Sequence, residues 1–257
     1  MSWFQTDAVL IDEQPRTTVA EGVVLERRSL LRFSAATVAA GLATACAVPG
    51  GRKSAVAAPS PTGDSTLDIA EFLAEMYPRA KQYVASGGKQ EESYLMAVGE
   101  LMSRLQAPTS ADARSAMKAL LEQHGSEERR FEVLVLVFDF EGGQGFSHHD
   151  HRDYNGVIQG LEGEARVRNY DIVGDVLVPP KGETFQIRQT RDDLILPGRF
   201  STLGTTRDNV HEVVAGPDGA KLLDAFTYLA SDSRSYSMDV DPTPVDAERG
   251  IYEASWS

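Results

Sequence analysis

Apolar side chains recur every three or four residues between positions 67 and 121, which is the spacing of one face of a helix. The pattern predicts a first helix that begins after the capping residues 64–66. We expect this helix to break or restart at Pro78, because proline lacks the amide that helical hydrogen bonding needs. A second helix is predicted over residues 91–105 and a third over Ser110–His124. These helices are expected to form a scaffold without catalytic groups.

The apolar pattern changes after position 130. Residues 131–138 (FEVLVLVF) are rich in β-branched and aromatic side chains and nearly all apolar, as in a strand covered on both faces. Short strand candidates follow between turn residues, at 156–161, 165–171, 184–189, 193–196, 211–215 and 222–228. This regular spacing predicts an all-β sandwich or barrel. The tail, residues 232–257, is polar, contains two prolines and is predicted to be mostly irregular.

Length and charge narrow the range of functions. The 257 residues suffice for one good-sized domain, or for one domain with appendages. The net charge of −13 disfavours a non-specific nucleic-acid partner, because the phosphate backbone is itself negative. Cys46 is the one cysteine, so no intrachain disulfide can form. After the N-terminal segment, no apolar stretch is long enough to span a bilayer.

The N-terminal segment has the pattern of an export signal. Residues 27–33 (RRSLLRF) precede a stretch rich in alanine and glycine that ends near position 47. This arrangement resembles a bacterial twin-arginine signal, which implies export by the twin-arginine machinery to the periplasm or cell envelope. The alternative interpretation is a buried alanine-rich helix with two exposed arginines.

Two processing sites remain open in this segment. Residues 43–45 (ATA) have the small side chains that signal peptidase requires, and cleavage there would fall just before Cys46. Alternatively Cys46 accepts a lipid, which would be the protein's one link to a membrane. Residues 47–64 are rich in proline, glycine, serine and alanine and are predicted to form a flexible tether.

Histidines are concentrated in one stretch of the chain. Three of the five lie at His148, His149 and His151, and a fourth, His211, follows sixty residues later. Two histidines two positions apart on a strand point to the same face, so His148 would point to the opposite face, toward solvent. A histidine from a distant strand of the same barrel can complete three nitrogen ligands on one metal. That geometry leaves positions open for substrate and dioxygen.

Two motifs carry a resemblance to a known family. The run HDH-x4-GVI-x2-L-x-G-x2-RV-x3-D, residues 149–171, resembles the first motif of the cupin thiol dioxygenases. Residues 209–213 (NVHEV), followed by a Gly-Pro at 216–217 and a Leu-Asp at 223–224, resemble the second. The similarity is greatest to the cysteamine dioxygenase and plant cysteine oxidase branch, and it covers about residues 130–228. It implies a mainly β fold class, a cupin barrel (double-stranded β-helix or jelly roll), with an N-terminal helical segment.

The resemblance also implies roles for individual residues. His149, His151 and His211 would be the ligands of a non-haem Fe(II), and Asp224 would match the second-sphere aspartate of this branch. Tyr228 lies 17 residues after His211, where cysteine dioxygenase has its active-site tyrosine, although the cysteamine branch usually places its tyrosine slightly later. The implied reaction is the oxidation of a small aminothiol or cysteine-type thiol by O2 to a sulfinate.

Two departures from the family patterns bear on the substrate. Ordinary metal-binding cupins have a glutamate ligand near Tyr154 and Gly156, and its absence favours a site of three histidines alone. Gly156 stands where mammalian cysteine dioxygenase carries its cross-linking cysteine, so that cross-link cannot form. No upstream arginine matches the one that holds the substrate carboxylate, since Arg129 and Arg130 begin a strand close to the motif. An amino thiol without a carboxylate, or an N-terminal cysteine, is therefore expected rather than free cysteine.

Other interpretations of the same residues stay open. The protein could be a different metal-dependent cupin that acts on a non-thiol molecule with Fe, Mn or Ni, or a metal-free binding module of the envelope. Asp224 could cap a turn or pair with an arginine, and Tyr228 could be a packing aromatic. The oligomeric state is open, with a monomer favoured. The predicted segments are a signal at 1–46, a tether at 47–64, helices at 65–126, the cupin barrel at 127–231 and a C-terminal tail at 232–257.

Overall fold

The computed structural model describes residues 66–124, 132–174 and 182–257. The predicted signal segment, Cys46 and the predicted tether lie outside these residues. Three helices come first, namely α1 (Ile69–Ala85), α2 (Glu91–Met102) and α3 (Ser110–His124). Within the described ranges, no helix has both the length and the apolar character needed to cross a membrane.

Helix α1 differs from the prediction at its start and at its proline. It begins after Asp68, whose carboxylate accepts two first-turn amides at 2.8 Å while the Glu71 side chain accepts the Asp68 amide at 2.9 Å. The helix continues through Pro78, so the predicted break there is wrong. Met76 and Ala80, on either side of the proline, are fully buried. Burial of this face therefore offsets the roughly 3 kcal/mol that an internal proline costs.

An antiparallel sheet of eight strands follows the helices. Its strands are β1 (Val133–Phe140), β2 (Gly145–Asp150), β3 (Tyr154–Ile172), β4 (Thr184–Ile195), β5 (Phe200–Leu203), β6 (Val210–Tyr228), β7 (Met238–Val240) and β8 (Ile251–Trp256). The strand order is β1-β6-β3-β4-β8-β7, with β2 also paired to β6 and β5 also paired to β3. Two strands thus pair with β6 along the same edge. Residues 220–227 of β6 pair with β1, and residues 210–214 of β6 pair with β2.

Strands β3 and β6 are longer than the sequence pattern indicated. Each contains two of the predicted short strands in one 19-residue element, and the two elements pair with each other along most of their length. Register shifts near Gly160 and Gly163 bend the pair, and Gly163 has a left-handed φ of 67°. The sheet therefore curls without interruption. The prediction of a mainly β, cupin-type barrel with a helical segment before it is confirmed.

The two faces of β1 show where the barrel interior lies. Val133 and Val135 are buried on the outer face, against which α3 packs. The interior is filled by small and branched apolar side chains that are almost completely buried: Ile158, Ala165, Val167, Ile195, Val213, Ala215, Ala220 and Leu222. This packing closes one part of the barrel and leaves the histidines in the other.

One carboxylate joins the helices to the barrel. Glu91 Oε1 accepts hydrogen bonds from the Tyr83 hydroxyl at 3.0 Å, from Asn155 Nδ2 at 2.9 Å and from the Thr205 amide at 3.0 Å. Beside this group, the Tyr94 hydroxyl lies 2.6 Å from the Thr227 hydroxyl. The network connects α1, α2, β3, β6 and the loop after β5.

The C-terminal tail contributes two short strands to the sheet, while most of residues 232–257 lie outside strands, as expected. β8 pairs with β4 along residues 184–188, and β7 pairs with β8. Ala254 and Trp256 of β8 are buried, with Phe185 stacked on Trp256 at 4.9 Å between ring centroids. The tail is polar on average, and this average gives no sign of the short strand β8. Buried and partly exposed positions alternate near the end of that strand.

Replacing Gly99 with alanine should destabilise the protein. A Cβ at this position would overlap the ring of Phe200, which is itself only 1% exposed. Overpacking of this kind costs about 1–3 kcal/mol, against about 1 kcal/mol gained by removing a helical glycine. We expect a net loss of up to about 2 kcal/mol in the free energy of unfolding, measured in urea. Ser93→Ala, on the exposed face of α2, is the control and should change stability by less than about 0.5 kcal/mol.

Candidate metal centre

Three histidines meet inside the barrel. His149 on β2 and His211 on β6 are direct partners in the ladder, so their side chains share one face. His151 follows two residues after His149 and points to the same side. The ligand nitrogens of the three rings all lie within 4.8 Å of one another, and the Nε2 atoms of His149 and His211 are 2.9 Å apart. This group can hold a metal ion.

Hydrogen bonds from neighbouring loops, most of them between a side chain and the backbone, position the strand segment that carries the histidines. The His151 amide donates to the Asn209 carbonyl at 3.1 Å, and Asn209 Nδ2 donates back to the His151 carbonyl at 2.6 Å. On the other side, Asp150 Oδ1 accepts the Tyr236 amide at 2.7 Å, and the Ser235 hydroxyl donates to the Asp150 carbonyl at 2.9 Å. Residues before β6 and residues before β7 therefore hold this segment from both sides.

Burial keeps the three imidazoles neutral. It lowers the pKa of His149 to about 4, and it lowers the pKa of His151 and of His211 well below the usual value, with the neighbouring histidines adding to the effect. A neutral imidazole offers a lone pair to a metal, whereas a protonated one cannot. The rings are therefore in the ligating form across the neutral pH range.

The observed geometry fits an ion bound by three histidines. His149 Nδ1 lies 2.8 Å from the Ser147 carbonyl, which can only accept, so this nitrogen carries the proton and Nε2 is left as the ligand. Two nitrogen ligands about 2.1 Å from one ion and at right angles to each other lie about 3.0 Å apart. The separation of 2.9 Å between the His149 and His211 nitrogens agrees with this value. Among the described residues the group contains no carboxylate, which suits a divalent transition metal with positions left open.

Aromatic rings surround the histidines. Tyr154 stacks on His151 with 4.3 Å between ring centroids, and Tyr228 stacks in turn on Tyr154 at 5.2 Å. Tyr228 thus lies beside the site, next to a tyrosine that the sequence analysis did not identify as a site residue. The signal that could have revealed Tyr154 is its position, three residues after His151 at the start of the next strand.

Asp224 lies on the inner face of β6, as a direct partner of Leu136 and of Ile158. It is 1% exposed, and burial raises the pKa of its carboxyl well above the usual value, which the Ala225 amide opposes in part. Oδ1 has no hydrogen-bond partner within the described part of the chain. It lies 3.4 Å from where a Cβ on Gly156 would be. The glycine therefore leaves space in front of an unsatisfied carboxyl oxygen.

His148 points away from the other histidines, as predicted, but it does not face open solvent. Its Nε2 lies 3.8 Å from Glu212 Oε1, and its ring is 5.1 Å from that of Tyr170. Glu212 is also paired with Arg168. His148 thus belongs to a packed outer surface of the barrel. It lies outside the group formed by His149, His151 and His211, which we call the metal group.

An arginine also lies near the histidines. Arg191 is the ladder partner of Asn169, which is in turn the partner of His211, so the three share a face. Its guanidinium donates to Thr202 and lies 3.4 Å from Asp208. Arg191 is therefore already committed to internal partners. Arg129 and Arg130, considered for the substrate carboxylate, lie outside the described residues.

Comparisons with known proteins give fold-level similarity alone. No family model matches the chain, and no curated protein matches it. Solved structures that match include an 11S allergen from Cocos nucifera (15% identity, TM-score 0.30, 42% of this chain and 25% of that chain). Peruvianin-I, a cysteine peptidase from Thevetia peruviana latex, matches at 12% identity and a TM-score of 0.30, over 40% of this chain and 55% of that one. A recombinant oxalate oxidase in complex with glycolate matches at 16% identity and a TM-score of 0.29, over 40% and 45%.

These matches leave function to be argued from this chain itself. The chain spans about a quarter of the 11S allergen that it matches and about half of the other two proteins. The fold is a curled antiparallel barrel of the cupin type, and it carries three histidines that can hold a metal ion.

Proposed function

We propose that the protein is a non-haem Fe(II)-dependent thiol dioxygenase that converts a small aminothiol or cysteine-type thiol and O2 into a sulfinate. The observation that carries the proposal is the group of three neutral histidines without a carboxylate, inside a barrel whose strands bear both motifs. The stoichiometry is balanced without an external reductant, because the sulfur loses four electrons and dioxygen gains four. Iron, when bound, would supply the Lewis acidity that favours the thiolate and the redox chemistry of the reaction.

His149, His151 and His211 would hold the ion. Because the three rings are neutral, they add no negative charge beside a substrate thiolate. Tyr154, stacked on His151, restricts the rotation of that ring. We propose that Tyr228, held against Tyr154, donates a hydrogen bond to the substrate sulfur or to dioxygen.

Asp224 would bind the ammonium group of the substrate. Its unsatisfied Oδ1 faces the space left by Gly156. Pairing with the substrate ammonium would favour the carboxylate form and so oppose the burial that raises the pKa of this carboxyl. Arg191 is held by Thr202 and Asp208 and would not be available for a substrate carboxylate. This arrangement favours an amine-bearing thiol over an acidic one.

Oxygen uptake by the purified, anaerobically Fe(II)-loaded protein tests the proposal. We expect uptake with cysteamine and a product that has gained two oxygen atoms by mass spectrometry. Asp224→Asn should raise KM for cysteamine about 10- to 100-fold, since it removes a charged hydrogen bond. The same variant should have little effect on 3-mercaptopropionate, which has no ammonium group and serves as the control substrate.

Two results would contradict the proposal. No uptake with cysteamine, cysteine or 3-mercaptopropionate, despite about one tightly held metal per chain, would favour a cupin enzyme that acts on a non-thiol molecule. No stoichiometric metal at all would favour a metal-free binding module.

A further inference from the structure

Strand β1 presents apolar side chains to the barrel interior beside the metal group. Leu134, Leu136 and Phe138 lie on the opposite face from Val133 and Val135, which are buried against the helices. Their ladder partners on β6 are Phe226, Asp224 and Leu222, of which Leu222 belongs to the interior core. The three β1 side chains therefore line the inside of the barrel.

These side chains are continuous with the metal ligands. Phe138 meets Phe146 of β2 edge to face at 4.8 Å between ring centroids, and Phe146 lies 5.9 Å from the ring of His149. On the other side, Phe226 lies 5.9 Å from the ring of His151. We call Leu134, Leu136, Phe138, Phe146 and Phe226 the apolar wall.

Solvent reaches the apolar wall although it faces inward. All five of its side chains are partly exposed, whereas the deeper interior residues Ile158, Val213 and Leu222 are fully buried. Apolar surface that remains wet in a concave site next to a metal group is stabilised when an apolar ligand group covers it. The wall thus has the properties of a substrate subsite.

Among β1 and its ladder partners on β6, the inward-facing charged side chain is Asp224. It lies between Leu136 and Ile158 in the ladder, while Asp139 of β1 is exposed and alternates to the other face. A ligand that fits these features has an amine near Asp224 and an uncharged, bulky group against Phe138 and Phe146.

We propose that the preferred substrate is an aminothiol that carries an aromatic or branched aliphatic substituent, which packs on the apolar wall. The inference rests on the proposed thiol dioxygenase function, and it specifies which class of thiol the site takes. Phe138 and Phe146 are then the residues that determine specificity.

Three thiols that share one aminoethanethiol unit test the inference. They are cysteamine, 2-amino-4-methylpentane-1-thiol and 2-amino-3-phenylpropane-1-thiol. With Fe(II)-loaded protein, we expect kcat/KM for the phenyl compound to exceed that for cysteamine by about 10- to 30-fold, the gain that burial of a phenyl group gives.

Two variants of the apolar wall should reduce this ratio. Phe138 contacts the ring of Phe146 and not a metal-ligating histidine in the contacts given above, and Phe138→Ala should lower the ratio to below about 3-fold. Phe146→Ala should act in the same direction. Leu194→Ala, at a position that is 50% exposed, is the matched control and should leave the ratio unchanged.

Calorimetric binding of the same thiols to Co(II)-loaded protein under anaerobic conditions separates this inference from the proposed function. Tighter binding of the phenyl compound, lost in Phe138→Ala, supports the apolar subsite even if no thiol drives oxygen uptake. Oxygen uptake with cysteamine, combined with equal affinities for all three thiols, overturns the subsite and leaves the dioxygenase proposal standing. Equal ratios in the wild type and in both phenylalanine variants would overturn it as well.

Discussion

Alanine at position 211 is expected to abolish stoichiometric metal binding and leave the barrel folded. His211 supplies the one nitrogen that comes from β6, and its Nε2 lies 2.9 Å from that of His149. Two histidines from one short segment would remain, and they cannot surround an ion from two sides. Since loss of a mere supporting contact weakens metal sites about 10- to 100-fold, loss of a ligand should weaken affinity by more than about 100-fold.

Metal content and thermal unfolding measure this effect without reference to catalysis. The wild-type protein should bind about one Fe(II) or Co(II) per chain, and its stability should rise by about 2.7 kcal/mol when free metal is at 100 times the dissociation constant. His211→Ala should show neither effect. His148→Ala is the matched control, because His148 is a neighbouring histidine on the outer surface of the barrel, and it should retain metal. Full metal occupancy in His211→Ala would disprove the three-histidine site.

The second large effect is expected at Glu91→Ala, far from the ligands. Glu91 Oε1 accepts three hydrogen bonds, from Tyr83, Asn155 and Thr205, and Asn155 is fully buried. Removing the carboxylate leaves these donors with fewer partners in a region that is only partly open to water. Hydrogen bonds to charged groups contribute about 1.5–3 kcal/mol each and are not additive, so we expect a loss of roughly 3 kcal/mol in the free energy of unfolding.

Urea unfolding followed by circular dichroism measures this loss. Glu91→Gln keeps an oxygen acceptor and should lose less than Glu91→Ala. Glu92→Ala changes the adjacent exposed glutamate of the same helix, and its stability should stay within about 0.5 kcal/mol of the wild type. Equal stability of Glu91→Ala and the wild type would show that the helices do not depend on this carboxylate.

Local patterns in the sequence were sufficient for part of this structure. The period-two rule on one strand placed His149 and His151 on one face, and the three-to-four-residue spacing located the three helices. The ladder between His149 and His211 could be expected only through the resemblance to a family. Pairing across sixty residues leaves no local trace in the sequence.

Other features depended on tertiary contacts that local patterns do not contain. Pro78 stays in a helix because the face around it is buried, and β8 forms because β4 offers an edge to pair with. Tyr154 was missed because a single tyrosine at the start of a strand gives no period, and its role arises from a ring contact with His151. The apolar wall was hidden because a nearly continuous apolar strand does not reveal which of its faces stays open to solvent.

The contacts between Asp150 and the residues before β7 affect the order in which the protein can be completed during synthesis. A ribosome that has translated as far as Tyr228 has already made all three histidines of the metal group. It has not yet made Ser235 and Tyr236, which hold the histidine-bearing segment from one side. Trp256, which is buried against Phe185 of β4 and stabilises the pairing of β8 with β4, is also still missing. The ligands therefore exist in the nascent chain before the framework that aligns them. A metal held by these histidines would consequently be bound in the aligned geometry only after β8 has emerged and paired with β4.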